Sequence, residues 1–304
     1  MKLYYFSLIV LVFISCKKEN TVEPPTESEV VEETTLEVKV EPLIAIVPHD
    51  VSLGQYFTFL DSLLMKYDTL LPYQIDEHVL VRTNDWIINR LIDTDYYLME
   101  EKGEFAYDNR RLVILHKGDT LVIPDSIATQ QICDAIANTT IDVNIPEFKL
   151  RIKVGEEVKY TILVRVGRDE RKYLELAGRE VDLRTATGTG YIYRINRDPI
   201  FINPSNGRRF YTTQRDDGKR TRMPQIPWLE PELDGYRYGH LIHPTSNPKT
   251  LGKAYSNGCV GLGEADTWRL YYYAPEGTKV VFRYDLEVVD YKLDTIRLKN
   301  IYRR

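Results

Sequence analysis

Within the 304 residues, the side chains best suited to covalent chemistry gather in one short stretch. His243 to Leu262 reads H-P-T-S-N-P-K-T-L-G-K-A-Y-S-N-G-C-V-G-L. A cysteine attacks a carbonyl as the thiolate, and an imidazole is the commonest group to take its proton. Cys259 and His243 supply that pair, sixteen positions apart. Gly258, just before the thiol, lets backbone N–H groups approach a developing oxyanion. His240 is a competing base. In a strand, residues three apart face opposite ways, so only one of the two imidazoles can address the thiol. The other histidines, His49, His78 and His116, match no ligand spacing, so neither a metal nor another cofactor is expected.

The string resembles the catalytic signature of the L,D-transpeptidase family, cysteine enzymes that cross-link bacterial peptidoglycan. The matching pieces are Ile242-His243-Pro244-Thr245, then Asn247-Pro248 to Gly252-Lys253-Ala254, then Ser256 to Leu262. Three departures stand out: Pro244 where glycine is usual, Asn257 where histidine or lysine is usual, and Gly261 where an arginine is expected. Further blocks follow the family's order. They are a strand ending at Ile152, a V-x-V-G segment at Val164 to Gly167, Arg184-Thr185-Ala186-Thr187-Gly188-Thr189-Gly190-Tyr191-Ile192, and Met223-Pro224. The likeness runs from about Thr140 to Tyr284.

The resemblance implies a mechanism and a set of site residues. Cys259 would attack the L-to-D bond of a tetrapeptide stem, with His243 as base, releasing D-alanine and leaving a thioester for an amine or water. The backbone carbonyl of Pro244 would orient His243, and the N–H groups of Asn257, Gly258 and Cys259 would form the oxyanion hole. Ser256, Tyr238, Arg222 and Trp228 are candidate substrate contacts. Arg215, Arg222 or Arg237 could replace the charge missing at Gly261. Two other outcomes stay open: an L,D-carboxypeptidase or hydrolase on the same fold, or a non-catalytic envelope protein that binds peptidoglycan on a relic scaffold.

Around this site the chain falls into four parts. Residues 1–16 read as a signal peptide, with a largely apolar run from Leu3 to Ile14 that is short for a membrane span of about 20 residues. Ser15-Cys16-Lys17-Lys18 resembles a lipoprotein signal, in which Cys16 would carry lipid and tether the protein to a membrane on the periplasmic side of the cell envelope. Residues 17–42 read as a flexible acidic tether, rich in Glu, Thr, Val and Pro with no aromatic residue from Glu19 to Glu41. Most of the net charge of −5 resides before residue 42. The remainder is near neutral, which excludes the basic footprint of a nucleic-acid binder.

Residues 43–139 read as a small α/β accessory domain whose end, Gly118 to Pro124, is similar to the close of a LysM peptidoglycan-binding module. Val51 to Tyr67 has helical periodicity, and His78 to Pro124 suggests a strand, a helix capped at Asn84 or Asp85, and a closing strand. Ser126–Asn138 suggests a helix with Cys133 packed on its apolar face. Residues 140–304 read as a mostly β catalytic domain, an L,D-transpeptidase-like β-sandwich or barrel with a short helix. Ile141–Asn144, Phe148–Ile152 and Val158–Val166 alternate as strands. Ile195 to Leu233 reads as a long loop, Glu264 to Tyr273 as a helix, and Thr278 to Val289 as a strand. A disulfide between Cys133 and Cys259 would disable the site and is excluded by this reading.

Overall fold

The structure, a computed structural model, describes residues 42–289 and 292–302. The signal, Cys16 and the tether up to residue 41 lie outside these residues. What is described belongs to one compact unit, and no helix in it is long and apolar enough to cross a membrane.

The first part is largely helical. β1 (Ile44–Ile46) and β2 (Val51–Ser52) lead into α1 (Leu53–Asp68), α2 (Glu77–Thr83), α3 (Trp86–Ile92) and α4 (Tyr96–Glu101). The chain returns through β3 (Val113–Leu115), antiparallel to β2, and β4 (Thr120–Val122), antiparallel to β1. The strand expected at His78 is helix α2 instead. Asp76 caps it, its carboxylate accepting from Val79 N at 2.8 Å, and that cap with packing of Val79, Leu80 and Val81 outweighs the β preference of the two valines. Asn84 closes α2, its side-chain amide donating to Leu80 O at 2.9 Å, and Asp85 at the start of α3 makes no side-chain cap bond. Asn84 also brackets Val122 of β4, accepting from its N–H and donating to its C=O.

α5 (Ser126–Ala137) follows, and it buries only Thr129. Cys133 is therefore exposed, not packed as the periodicity suggested, because neither hydrophobic core includes this helix. Both Cys133 and Cys259 are free thiols.

From Thr139 the chain is strand-rich. β5 (Thr139–Asn144), β6 (Lys149–Val154) and β7 (Glu157–Leu163) form an antiparallel meander. β8 (Val166–Gly167), the hairpin of β9 (Arg171–Leu174) and β10 (Arg179–Asp182), and β11 (Gly188–Asn196) come next. A second hairpin, β12 (Thr212–Gln214) with β13 (Arg220–Arg222), precedes β14 (Trp228–Leu233), β15 (Ile242–Pro244), β16 (Ala254–Ser256) and β17 (Val260–Leu262). After α6 (Glu264–Tyr273), β18 (Lys279–Arg283) returns to the sheet, and β19 (Glu287–Val289) pairs with β20 (Thr295–Arg297).

Eight strands make one sheet in the order β17-β15-β14-β11-β18-β5-β6-β7. Its two edges meet. Arg165, just beyond β7, donates to Gly261 O at 2.9 Å, and Gly261 N of β17 donates to Arg165 O at 3.0 Å. The interior carries the alternating apolar set that the sequence displays, including Ile141, Val143, Leu150, Ile152, Val280 and Phe282.

β14 corrects the sequence reading, which took Ile195 to Leu233 as loop. Pro231 breaks the strand pattern because it lacks an N–H. It pairs with Ile192 at the edge of a bulge in β11 between Ile192 and Arg194, where a ladder tolerates a missing donor.

Helix α6 belongs to both cores. Ala265, Trp268, Tyr271 and Tyr272 complete the core of the helical part, whereas Leu270 packs on the sheet. Asp95 ties its start to α4. One carboxylate oxygen accepts from Tyr97 N at 2.8 Å, and the other accepts from Ala265 N at 2.9 Å. Asp95→Ala removes two caps at once, so it is expected to destabilise by about 2 kcal/mol. The check is a lowered urea midpoint with an unchanged slope.

Candidate active site

β15 and β17 run parallel, with Ile242 opposite Val260 and His243 opposite Gly261. Cys259 lies two residues before Gly261, immediately ahead of β17, which brings the thiol to the start of the strand paired with that of His243. Leu241 N donates to Cys259 Sγ at 3.4 Å, which fixes the sulfur at the head of the strand pair. His243 Nδ1 lies 2.8 Å from Pro244 O. A carbonyl only accepts, so the ring's proton sits on Nδ1 and Nε2 is left as the free base.

Burial dominates the electrostatics. Burial foremost, with the Arg165 charge, pulls His243 down to about 4 against the upward pull of the bond to Pro244. Burial pushes the Cys259 thiol up, while the Leu241 N–H and the Arg165 charge draw it back. At neutral pH the thiol and the imidazole are thus both uncharged.

The loop carrying the thiol is held at every residue. Gly258 has φ of +108°, and a Cβ there would stand 2.4 Å from His240 Nε2. Only glycine fits both demands. Ser256 Oγ donates to Cys259 O at 2.6 Å and accepts from Gly258 N at 3.2 Å. Asn257 Oδ1 accepts from Arg168 at 2.7 Å. Thr185 Oγ1 donates to Gly258 O at 2.9 Å and accepts from Gly167 N at 2.8 Å. Of the three N–H groups expected to form an oxyanion hole, that of Gly258 is engaged by Ser256. Those of Asn257 and Cys259 have no acceptor among the described residues.

His240 lies before β15, which begins at Ile242, so strand alternation does not govern it. Both imidazoles border the loop, His243 opposite Gly261 and His240 against Gly258. Burial lowers His240 to about 4 as well. Tyr238 stacks on it with ring centroids 5.8 Å apart. Both line a cavity of about 730 Å³ that also takes in Arg179, Arg184, Thr185 and Arg237.

The other candidate contacts are elsewhere. Arg222 sits on β13 beside Asp108, with an ion pair at 3.4 Å. Trp228 opens β14 against Phe201. Neither lines the cavity beside His240. None of the three arginines offered as replacements at Gly261 occupies that place. Arg215 is buried against Glu264, Arg222 is with Asp108, and Arg237 pairs with Glu232 at 2.9 Å.

The residue on Gly261 is Arg165. A Cβ at Gly261 would lie 2.5 Å from its Nε and 2.8 Å from its Cγ. Sequence reasoning missed this side chain and the role of Thr185. Each stands inside a block already matched, Arg165 in V-R-V-G and Thr185 in T-A-T-G, but neither carried a signal of its partner.

Comparison with known proteins finds the following similarities. Residues 138–282 match the L,D-transpeptidase catalytic domain, YkuD. The Bacillus subtilis protein YciB, assigned by name to the L,D-transpeptidases, is 28% identical over 148 residues, 46% of this chain and 63% of its own length. Among solved structures, an L,D-transpeptidase from Xylanimonas cellulosilytica aligns with 80% of this chain and 100% of its own, at 18% identity and a TM-score of 0.35. One from Mycobacterium smegmatis aligns with 48% of this chain and 58% of its own, at 13% identity and a TM-score of 0.33.

Gly258→Ala tests the loop geometry. The added methyl collides with His240 and needs a backbone conformation unfavourable to alanine, so alkylation of Cys259 by iodoacetamide is expected to change at least fivefold. Cys133, exposed on α5, should react at the parental rate, which peptide-level mass spectrometry reads in the same sample.

Proposed function

We propose that this L,D-transpeptidase-type domain is a cysteine-dependent acyltransferase acting on peptidoglycan tetrapeptide stems. The observation that supports the reading is the parallel register of β15 and β17, which sets Gly261, two residues after the thiol, opposite His243, with the imidazole tautomer set by Pro244 O at 2.8 Å. Cys259 Sγ attacks the carbonyl of the L-to-D bond while His243 Nε2 takes the thiol proton. The oxygen gains charge facing the free N–H groups of Cys259 and Asn257. Collapse of the tetrahedral adduct breaks the C–N bond, and His243 returns the proton to the departing D-alanine amine. The thioester then passes to the side-chain amine of a second stem, whose proton leaves through His243 and restores the thiol.

The cavity beside His240 supports an acidic peptide as the ligand. Arg184 and Arg237 on its wall are held by Asp182 and Glu232, whereas Arg179 at its rim has no carboxylate partner among the described residues. That charge is available to a stem carboxylate.

Incubating the full chain with a tetrapeptide-stem muropeptide should release D-alanine and give a thioester adduct of Cys259, seen by intact mass. Cys259→Ala should abolish the adduct, and His243→Ala should slow turnover by 10²-fold or more. A cross-linked dimer supports transfer to an amine; tripeptide alone marks water as the acceptor. With His243 held at about 4 by burial, kcat/KM should keep its acid-side plateau down to about pH 5 and fall as pH passes through 4. An acid limb near 6.5 would contradict this electrostatic account.

The same reading places the protein in the cell envelope, on the periplasmic side of a membrane, tethered by lipid on Cys16. A clickable palmitate fed to expressing cells should label the protein, and Cys16→Ala should lose the label.

A further inference from the structure

Arg165 is a cation without a carboxylate. No ion pair includes it among the described residues, and its guanidinium has one hydrogen bond, from Nη1 to Thr250 Oγ1 at 3.3 Å. Its Nε is buried with no partner. A half-buried guanidinium left in this state costs free energy unless an anion compensates it. The groups whose charge acts on it are Cys259 and Tyr255. The side chain also lies directly over Gly261, two residues beyond the thiol, where any other residue would displace it.

We propose that Arg165 is a positioning residue for the nucleophile: laid across Gly261 from the strand edge opposite, it supplies the positive charge that compensates the Cys259 thiolate. It takes the place of the side chain absent at 261, reached from another strand. The same charge also lowers His243, so it favours the thiolate while it disfavours the imidazolium. The remaining charged or titratable groups around the loop are otherwise disposed. Arg168 is held by Asn257 and Glu170, and His240 packs on Gly258. This inference rests on Cys259 being the nucleophile. Its test reads the thiol itself, with no stem peptide present, so it stands or falls apart from the choice of substrate.

The experiment follows iodoacetamide alkylation of Cys259 in the full chain across pH 6 to 10.5, quantified on the peptide that contains it. Arg165→Gln should move the rate–pH curve upward by about one unit. A tenfold smaller thiolate fraction, partly offset by a more basic thiolate, then slows the reaction three- to tenfold at a given pH below the midpoint. Arg165→Lys keeps the charge and should restore most of the rate, which a purely structural role for the guanidinium would not do. Gly261→Ala pushes the guanidinium aside without deleting it, and should shift the curve in the same direction as Arg165→Gln; it serves alone where Arg165→Gln does not fold. Curves for folded Arg165→Gln or Gly261→Ala that superimpose on the parent overturn the proposal.

Discussion

Two backbone hydrogen bonds between Arg165 and Gly261 are the constraint on which the rest of the domain depends. They join the edge after β7 to the edge strand β17 and so close an eight-stranded sheet on itself. A free edge would be a template for another chain. Closure removes that hazard and fixes where β17 lies. With β17 fixed, the parallel ladder to β15 sets His243 opposite Gly261, and the thiol lies two residues earlier on the approach to the same strand. The candidate site therefore sits at the seam of the sheet, and its geometry follows from the register of the seam. Next to it the parallel pairing of β8 with β16 and the hydroxyl of Thr185 stitch the nucleophile loop to the same edge.

The helical part supports the site from behind without contributing a reacting group. α6 begins just after β17 and buries Trp268, Tyr271 and Tyr272 among α1, α2 and α3. α4 reaches the other flank, where Tyr97 OH donates to Ser246 O at 2.8 Å, three residues after His243. Arg215 and Glu264, both nearly inaccessible to solvent, lock the β12–β13 hairpin to the first turn of α6. Such a pair adds little net stability against an apolar replacement, but losing either member strands a buried charge. The helices act as a brace on both sides of the His243-to-Gly261 segment.

How much of this was legible in the sequence varies with the kind of interaction. Strand alternation at Ile141 to Ile162 and the helical spacing of α1 and α6 came through, because each depends on a local period. The special glycine at 258 was also readable, since its backbone demand restricts residue type within a short window. Local patterns misled where a cap or a pairing partner decided the outcome. Asp76 turned His78–Val81 into helix, and a bulge in a distant strand admitted Pro231 to the middle of the sheet. Least legible was Arg165. Its importance lies in a contact across 96 positions of chain, and one sequence does not reveal which strand edges will meet.

The crowding at Gly261 also bears on how such a site can change over generations. A side chain introduced at 261 meets Arg165 before it can do anything useful, and an Arg165 traded for a smaller residue leaves the seam without its charge. Neither single replacement is neutral, although exchanging both could be. The two positions compete for one space, so a substitution at either is expected to depend on the residue at the other. Glycine at 261, where arginine was expected, leaves the space that Arg165 fills from the far edge of the sheet.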